Sequence, residues 1–198
     1  MQPRFDASLM GTLLDALGAH LAATGGHAAL VVVGGAALAM RGWVPRTTQD
    51  VDVIAVADDV GELAPPEFTR DLSDCVARVA RDFNLPDDWL NAVVGRQWRM
   101  GLPPGVAAEL EWRTFHTLRV GLAGRSTLIA LKLFAAIDRG PSSVHLQDLL
   151  ALAPDDSELA QARAWVDTQD IGAQVIGASG PEMVKEVVDH VRARRRSR

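Results

Sequence analysis

The chain has 198 residues, of which 48% are hydrophobic and 23% are charged, and its formal net charge is −5. This length suits one domain, or one domain with a small helical addition. The acidic balance argues against general, non-specific nucleic-acid binding, and no apolar run reaches the ~18 residues that a membrane-spanning helix needs.

The first half of the chain alternates helical and extended patterns. Leucines recur at helical spacing after Ser8, which could cap a helix, and a run of three valines predicts a buried strand before Gly34. Cys75 lies in a later helical pattern, where a buried structural thiol is expected. A single cysteine and an N-terminus without the order of a signal peptide predict a cytoplasmic protein. The predicted elements are helices over 8–23, 36–41 and 69–83 and strands over 29–33 and 51–56.

The second half turns from strands to helices. Pro86 predicts a helix start within 85–91, and two extended patterns predict a hairpin. Four helices follow, the first capped by Ser126, with a glycine-rich break before the last. This order predicts an α+β fold in which a short sheet precedes a helical C-terminal part, with domains at 1–122 and 123–198. The predicted strands are 106–112 and 117–120, and the helices are 127–138, 145–152, 155–168 and 181–196.

The most informative stretch runs from Gly34-Gly35 to Asp50-Val-Asp52. The glycines follow a strand and open a helix, so a phosphate could approach the backbone closely. Asp50 and Asp52 share one face of the next strand, where two carboxylates repel unless a cation lies between them. Mg²⁺ (or Mn²⁺) accepts one or two carboxylates together with substrate phosphates.

Simpler interpretations of this stretch remain. Solvated aspartates at a strand edge after a tight turn would look the same, and Asp-x-Asp alone carries no weight. A dinucleotide-binding enzyme is disfavoured, because the third glycine of its fingerprint and the repeated strand–helix alternation are missing. The combination of Gly34-Gly35 with Arg46-x-Thr48-x-Asp50-x-Asp52 favours a functional site.

This combination resembles the signature of the nucleotidyltransferase fold, the polymerase-beta-like superfamily. The pattern Gly-Gly-x-Ala followed by Arg-x-Thr-x-Asp-hydrophobic-Asp is similar to AbiE-type (MenT-like) toxin nucleotidyltransferases, as is Leu85-Pro-Asp-Asp-Trp-Leu-Asn91. The resemblance covers roughly residues 28 to 152. It implies a metal-dependent transfer from a nucleoside triphosphate to a tRNA 3′ end, with a cognate antitoxin as partner. If the chain is not of the toxin type, the acceptor is expected to be a protein hydroxyl or a small molecule. The candidate nucleotide contacts are Gly34, Gly35, Arg46 and Thr48, with the alternative that Arg46 pins the turn instead of holding the triphosphate.

A second set of residues lies in the helical part. Lys132 stands in an apolar helix, and Asp148 follows it 16 residues later. The resemblance implies that Lys132 binds nucleotide phosphate and that Asp148 completes the catalytic site. Without the resemblance, Lys132 would reach the surface on its long stem and Asp148 would be solvated.

Two further features leave alternatives open. Glu109 and Glu111 would share a strand face, and either could supply a third metal ligand, Glu111 in particular, or form an outward polar face. The arginine-rich segment 192–198 is either a solvated helix end or a contact for RNA phosphates. The chain as a whole is therefore predicted to be a nucleotidyltransferase, with a non-catalytic nucleotide-binding or partner-binding module as the alternative.

Overall fold

A computed structural model of the protein describes residues 4–140, 142–169 and 180–196. The chain divides into two compact units, the first formed by residues up to 98 together with 109–123, and the second by the remainder. The predicted domains, 1–122 and 123–198, stay a prediction. The glycine-rich break predicted before the last helix falls largely on 170–179, outside the described residues.

The first unit is built on a mixed sheet with the strand order β3-β2-β1-β6-β5, and β4 pairs with β2. β1 is antiparallel to β2 and parallel to β6, so it lies at the centre. Its last four residues are buried, as the valine run predicted. This short mixed sheet, flanked by helices, confirms the predicted α+β nucleotidyltransferase fold. The strands are β1 (Ala28–Val33), β2 (Val51–Ala57), β3 (Leu63–Ala64), β4 (Leu90–Asn91), β5 (Glu111–Phe115) and β6 (Leu118–Leu122).

Helix α1 packs its leucine face into this unit. The helix is capped by Asp6, whose Oδ1 accepts a hydrogen bond from Leu9 N at 2.8 Å, and not by Ser8 as predicted. Gly18 lies so close to the Phe115 carbonyl that a larger residue could not fit, which holds α1 against β5. The helices that begin in this unit are α1 (Ala7–Ala23), α2 (Gly34–Met40), α3 (Arg70–Asp82) and the short α4 (Gln97–Met100), with a 3₁₀ turn at Val93–Arg96.

The segment 85–91 does not begin a helix, contrary to the prediction. Trp89 is fully buried, as expected for a core residue, and its Nε1 donates to Val76 O of α3 at 3.1 Å. The Trp89 carbonyl accepts a hydrogen bond from Val51 N at 2.7 Å. Burial of this large side chain holds the backbone beside β2, where it forms β4. Tertiary packing thus overrides the local helix signal of Pro86.

The predicted hairpin is confirmed, but its first strand begins later than predicted. β5 and β6 pair antiparallel, with Phe115 opposite Leu118 across a two-residue loop. β5 starts at Glu111, and residues 104–109 form turns. Glu109 therefore lies outside the strand, and the prediction that it shares a strand face with Glu111 is wrong.

The second unit consists of the predicted C-terminal helices and the segment 99–108. Trp165 Nε1 donates to Gly101 O at 3.2 Å, and Thr127 Oγ1 donates to Pro104 O at 2.8 Å. These bonds tie the segment to helices that lie far away in sequence. The helices are α5 (Arg125–Arg139), α6 (Val144–Leu152), α7 (Asp156–Val166) and α8 (Gly180–Arg196). Gly124, and not Ser126, occupies the cap position of α5.

Arg125 connects α5 to α7 through Glu158. Its Nη2 donates to Glu158 Oε2 at 3.1 Å and to Leu152 O at 2.6 Å. The hydrogen bond from Arg125 lowers the pKa of Glu158 below its ordinary value, although burial acts in the opposite direction. Glu158 also closes a capping box with Asp155 at the start of α7.

Glu158→Gln is expected to lower the free energy of unfolding by about 1 kcal/mol at neutral pH, since the ion pair is partly exposed and screened by solvent. The glutamine Oε1 keeps the capping box, while its NH₂ group replaces the oxygen that accepts from Arg125 Nε, so the change removes the ion pair and leaves the cap. A carboxylate with a depressed pKa stabilises the fold above its unfolded pKa and loses this contribution as the pH falls through its folded pKa. The difference from the wild type should therefore shrink below the ordinary pKa of 4.5. Urea unfolding between neutral and acidic pH checks this, with the exposed Glu186→Gln as control; a pH-independent difference would contradict it.

Candidate functional site

The turn between β1 and α2 lies beside the start of β2. Val33, the last residue of β1, pairs with Asp52. Gly34 follows with a φ of +70°, a left-handed conformation that favours glycine. A Cβ on Gly34 would lie 2.5 Å from Asp52 Oδ2. The Asp52 carboxylate therefore lies against the backbone of the turn, in space that a side chain at position 34 would fill.

Two side chains of the loop before β2 cover the second glycine. A Cβ on Gly35 would collide with Arg46 Nη2 and would lie 2.9 Å from Thr48 Oγ1. The close packing against both glycines is thus made by the protein's own side chains. The approach of a phosphate to this turn stays a prediction.

Thr48 links this loop to Asp50. Its Oγ1 donates to Asp50 O at 3.2 Å and lies 3.3 Å from Asp50 Oδ1. Its backbone exchanges two hydrogen bonds with the fully buried Phe5, which anchors the loop in the core. The structure therefore brings together six of the predicted site residues: Gly34, Gly35, Arg46, Thr48, Asp50 and Asp52.

Asp50 and Asp52 fit a magnesium ion by their chemistry. Both are half-buried at the start of β2. The described residues contain no group of three or more His, Cys, Asp or Glu side chains arranged to hold a metal. Mg²⁺ commonly takes one or two carboxylates and completes its shell with water and substrate phosphates. Two carboxylates are therefore a suitable, if minimal, donor set.

Glu111 lies on β5, away from these aspartates. The strands β1 and β6 stand between β2 and β5. Arg113 Nη2 donates to Glu111 Oε1 at 2.7 Å, and Arg41 Nη1 lies 3.3 Å from Oε2. The hydrogen bond from Arg113 is the main cause of the lowered pKa of Glu111. The structure thus places Glu111 in an arginine cluster and does not bring it to Asp52.

Lys132 and Asp148 form a buried ion pair within the second unit. Lys132 Nζ lies 2.7 Å from Asp148 Oδ2, and the two side chains are 5% and 2% exposed. The alternatives of a lysine that reaches the surface and a solvated aspartate are therefore wrong. The pairing joins α5 to α6, and a role of either residue in nucleotide binding stays a prediction.

The arginines near the C-terminus are held by Asp156 at the start of α7. Arg192 Nε donates to Asp156 Oδ1 at 3.0 Å, and Arg195 Nη2 donates to Oδ2 at 2.6 Å. The hydrogen bond from Arg195, followed by that from Arg192, lowers the pKa of Asp156. Two of the arginines thus fasten α8 to α7, a structural role that neither interpretation of the segment foresaw. Residues 197 and 198 lie outside the described part.

Asn91 is a site candidate that the sequence analysis missed. β4 pairs parallel with β2, and the register places Asn91 opposite Asp52. The Trp-Leu-Asn segment carries a strand of only two residues, too short to show a period. Its similarity to a motif of the toxin enzymes was the available signal.

The fold and this edge of the sheet define a nucleotidyltransferase-like α+β protein. A family model described as "Nucleotidyltransferase of unknown function (DUF6036)" matches residues 12–94. The matched segment includes both glycines, both aspartates and Asn91, and it ends before Lys132 and Asp148. Searches of curated proteins and of solved structures found no match. The resemblance to AbiE-type toxins stays a prediction. No described helix is both long and apolar enough to cross a membrane.

Gly34→Ala is expected to lower the free energy of unfolding by about 2–4 kcal/mol, since it adds a clash with Asp52 to the strain of a left-handed residue. Gly42 is the matched control, because it has the same φ of +70° with no atom within 4 Å of its would-be Cβ. Gly42→Ala should cost only about 1 kcal/mol, from the conformation itself. Urea unfolding of both variants measures the difference, and equal losses would show that Asp52 does not constrain position 34.

Proposed function

We propose that this protein transfers a nucleoside monophosphate from a nucleoside triphosphate to a hydroxyl acceptor, with Asp50 and Asp52 holding Mg²⁺ or Mn²⁺. The observation that carries the proposal is the placement of Asp50 immediately before β2, beside Thr48, and of Asp52 within β2, against the Gly34 turn. Two neighbouring carboxylates repel each other, and a divalent cation with phosphate ligands relieves that repulsion. The family model supports nucleotidyl transfer in general terms.

Arg46 and Thr48 are proposed to bind the triphosphate. The Arg46 guanidinium lies over Gly35, next to the Thr48 hydroxyl. A guanidinium presents several donors in a plane and suits phosphate oxygens. Thr48 also contacts Asp50, so it fixes the position of one carboxylate relative to this cation.

The reaction follows in-line displacement. The acceptor oxygen forms a bond to the α-phosphorus while the bond from that phosphorus to the bridging oxygen breaks, and pyrophosphate leaves with the electron pair. The acceptor proton passes to a carboxylate or to water. A bound divalent cation would supply charge stabilisation to the attacking and leaving oxygens. Asp50 and Asp52 hold the cation, and Arg46 balances charge on the phosphates.

Lys132 and Asp148 are proposed to support the site, as the resemblance implies. Lys132 Nζ lies in a closed, buried pair, so a direct contact with phosphate requires that this pair open. The acceptor is proposed to be a tRNA 3′ end, with a protein hydroxyl as the other acceptor and a cognate antitoxin as a protein partner. The acidic net charge of −5 fits a protein hydroxyl or a small molecule as acceptor slightly better than an RNA.

A non-catalytic nucleotide-binding or partner-binding module on the same fold is the second candidate. The observation in its favour is the absence of a third acidic side chain beside Asp50 and Asp52 within the described part of the chain. Such a module would bind nucleotide and release no pyrophosphate. Transfer of label separates the two candidates.

The test incubates the purified protein with Mg²⁺, each α-labelled nucleoside triphosphate in turn, and total tRNA. Label is then measured separately in RNA and in protein. Asp50→Asn/Asp52→Asn should lose all transfer. Asp58→Asn/Asp59→Asn is the matched control, because it removes the same charge at the other end of β2. Transfer that survives in the first double variant would exclude the proposed metal site, and nucleotide binding without transfer would favour the second candidate.

A further inference from the structure

Asn91 stands beside Asp52 on the neighbouring strand. β4 runs parallel to β2, with Val51 opposite Leu90 and Asp52 opposite Asn91. Strands lie about 4.8 Å apart, and laterally paired residues of a parallel ladder point to the same face of the sheet. The Asn91 carboxamide is therefore a close neighbour of the Asp52 carboxylate, and it is half-buried.

The position of Asn91 is held by the core. Trp89, two residues before it, is fully buried, and its indole nitrogen bonds to Val76 O of α3. The Trp89 carbonyl accepts from Val51 N at 2.7 Å. These contacts anchor β4 through both the side chain and the backbone of Trp89. Asn91 thus has a defined place beside Asp52 although β4 is only two residues long.

The local hydrogen bonds orient the carboxamide. Asn91 Oδ1 accepts from Val93 N at 3.1 Å, which assigns the oxygen to the turn that follows the strand. Nδ2 donates one long hydrogen bond, of 3.4 Å, to Asp88 O. An amide nitrogen carries two N–H groups, so Nδ2 keeps donor capacity while the oxygen is engaged. The group beside Asp52 is therefore a neutral donor and adds no negative charge to the two carboxylates.

We infer that Asn91 contacts the nucleotide, donating a hydrogen bond from Nδ2 to a phosphate oxygen of the triphosphate held at Asp50 and Asp52. This inference rests on the proposed function. Phosphates that complete a cation's coordination at Asp52 would come within reach of Asn91, because Asp52 and Asn91 are one strand spacing apart. A hydrogen bond to a charged acceptor is stronger than one to a neutral acceptor. Asn91 therefore contributes to the affinity for nucleotide and not to the affinity for the cation.

The test measures binding without chemistry. Calorimetry with Mg²⁺ uses the four nucleoside triphosphates whose α–β bridging oxygen is replaced by methylene. Asn91→Asp keeps an acceptor for Val93 N, and therefore the turn, but loses the donor; Asn91→Ala loses the donor without adding charge. Asn84, the other asparagine of the chain, is exposed after α3. Asn84→Asp therefore makes the same charge change as a matched control, and thermal melts confirm the folding of each variant.

Both Asn91 variants should bind the analogue at least about tenfold more weakly than the wild type, the loss expected for a hydrogen bond to a charged group. Asn84→Asp should bind like the wild type. Wild-type affinity in Asn91→Ala, with or without a loss in Asn91→Asp, would overturn the inference and leave the proposed function standing. A wild-type protein that binds none of the four analogues would overturn both.

Discussion

Asp52→Ala is expected to reduce nucleotidyl transfer by at least about 10³-fold, since loss of a metal ligand removes several kcal/mol of transition-state stabilisation. The melting temperature should stay unchanged or rise. Asp52 stands two residues after Asp50 and lies against the Gly34 turn, so its removal lowers the repulsion between the two carboxylates in the metal-free protein. Loss of activity together with retained stability is the expected sign of a functional and not a structural residue.

The measurement pairs initial transfer rates with thermal melts in metal-free buffer. Asp59→Ala is the control, because Asp59 is exposed just beyond the other end of β2. It should change neither quantity. In the wild type, added Mg²⁺ should raise the melting temperature, since a ligand that binds only the folded state stabilises it. Asp52→Ala should lose this rise. Transfer at the wild-type rate in the variant would remove Asp52 from the site.

Lys132→Ala is expected to lower the free energy of unfolding by about 3–5 kcal/mol, the cost of leaving one partner of a buried ion pair without its counter-charge. The Asp148 side chain is only 2% exposed, so its charge is poorly solvated once the lysine is removed. Lys185, the other lysine of the chain, provides a matched control. It pairs with Asp189 at 2.7 Å on the surface of α8, where the side chains are 71% and 50% exposed. Lys185→Ala should leave the free energy of unfolding almost unchanged.

A double variant separates the structural role of Lys132 from a role in nucleotide binding. Lys132→Met/Asp148→Val removes both charges and changes the combined side-chain volume little, a change that is often neutral or stabilising for a buried pair. Urea unfolding gives the stability, and calorimetry with the methylene analogues gives the affinity. A stable double variant that binds nucleotide like the wild type would show that the pair only supports the fold. A stable variant with weakened binding would support the phosphate role of Lys132.

The regular elements with strong patterns follow from the sequence. The helical leucine spacing predicted α1, and the valine run predicted β1, because each pattern places its apolar side chains on one buried face. The cap of α1 was assigned to Ser8 instead of Asp6. Both residues can accept the capping hydrogen bond, so local sequence could not choose between them.

The sequence could not predict β4 or the start of β5. Pro86 gave a local helix signal, and burial of Trp89 against α3 overrode it. An extended pattern from 106 onward suggested a longer strand, but the chain just before it is bonded to α7 at Gly101 and to α5 at Pro104, and β5 begins only at Glu111. Whether these two segments form helix, strand or turn depends on packing partners that are distant along the chain. Neighbouring residues carry no information about those partners.

The candidate site also has one part that the sequence predicts and another that only the tertiary structure sets. The sequence by itself determined the candidate pairing of the Gly34-Gly35 turn with Asp50 and Asp52, because a tight turn and two carboxylates two residues apart are local features. Tertiary structure alone decided what surrounds them. Strand order placed Asn91 beside Asp52 and kept Glu111 apart. The packing of α5 against α6 brought Lys132 and Asp148 into a buried ion pair. The physical reason is that a ligand set and an ion pair require side chains within a few ångströms, and only the packing of strands and helices sets such distances between residues far apart in the chain.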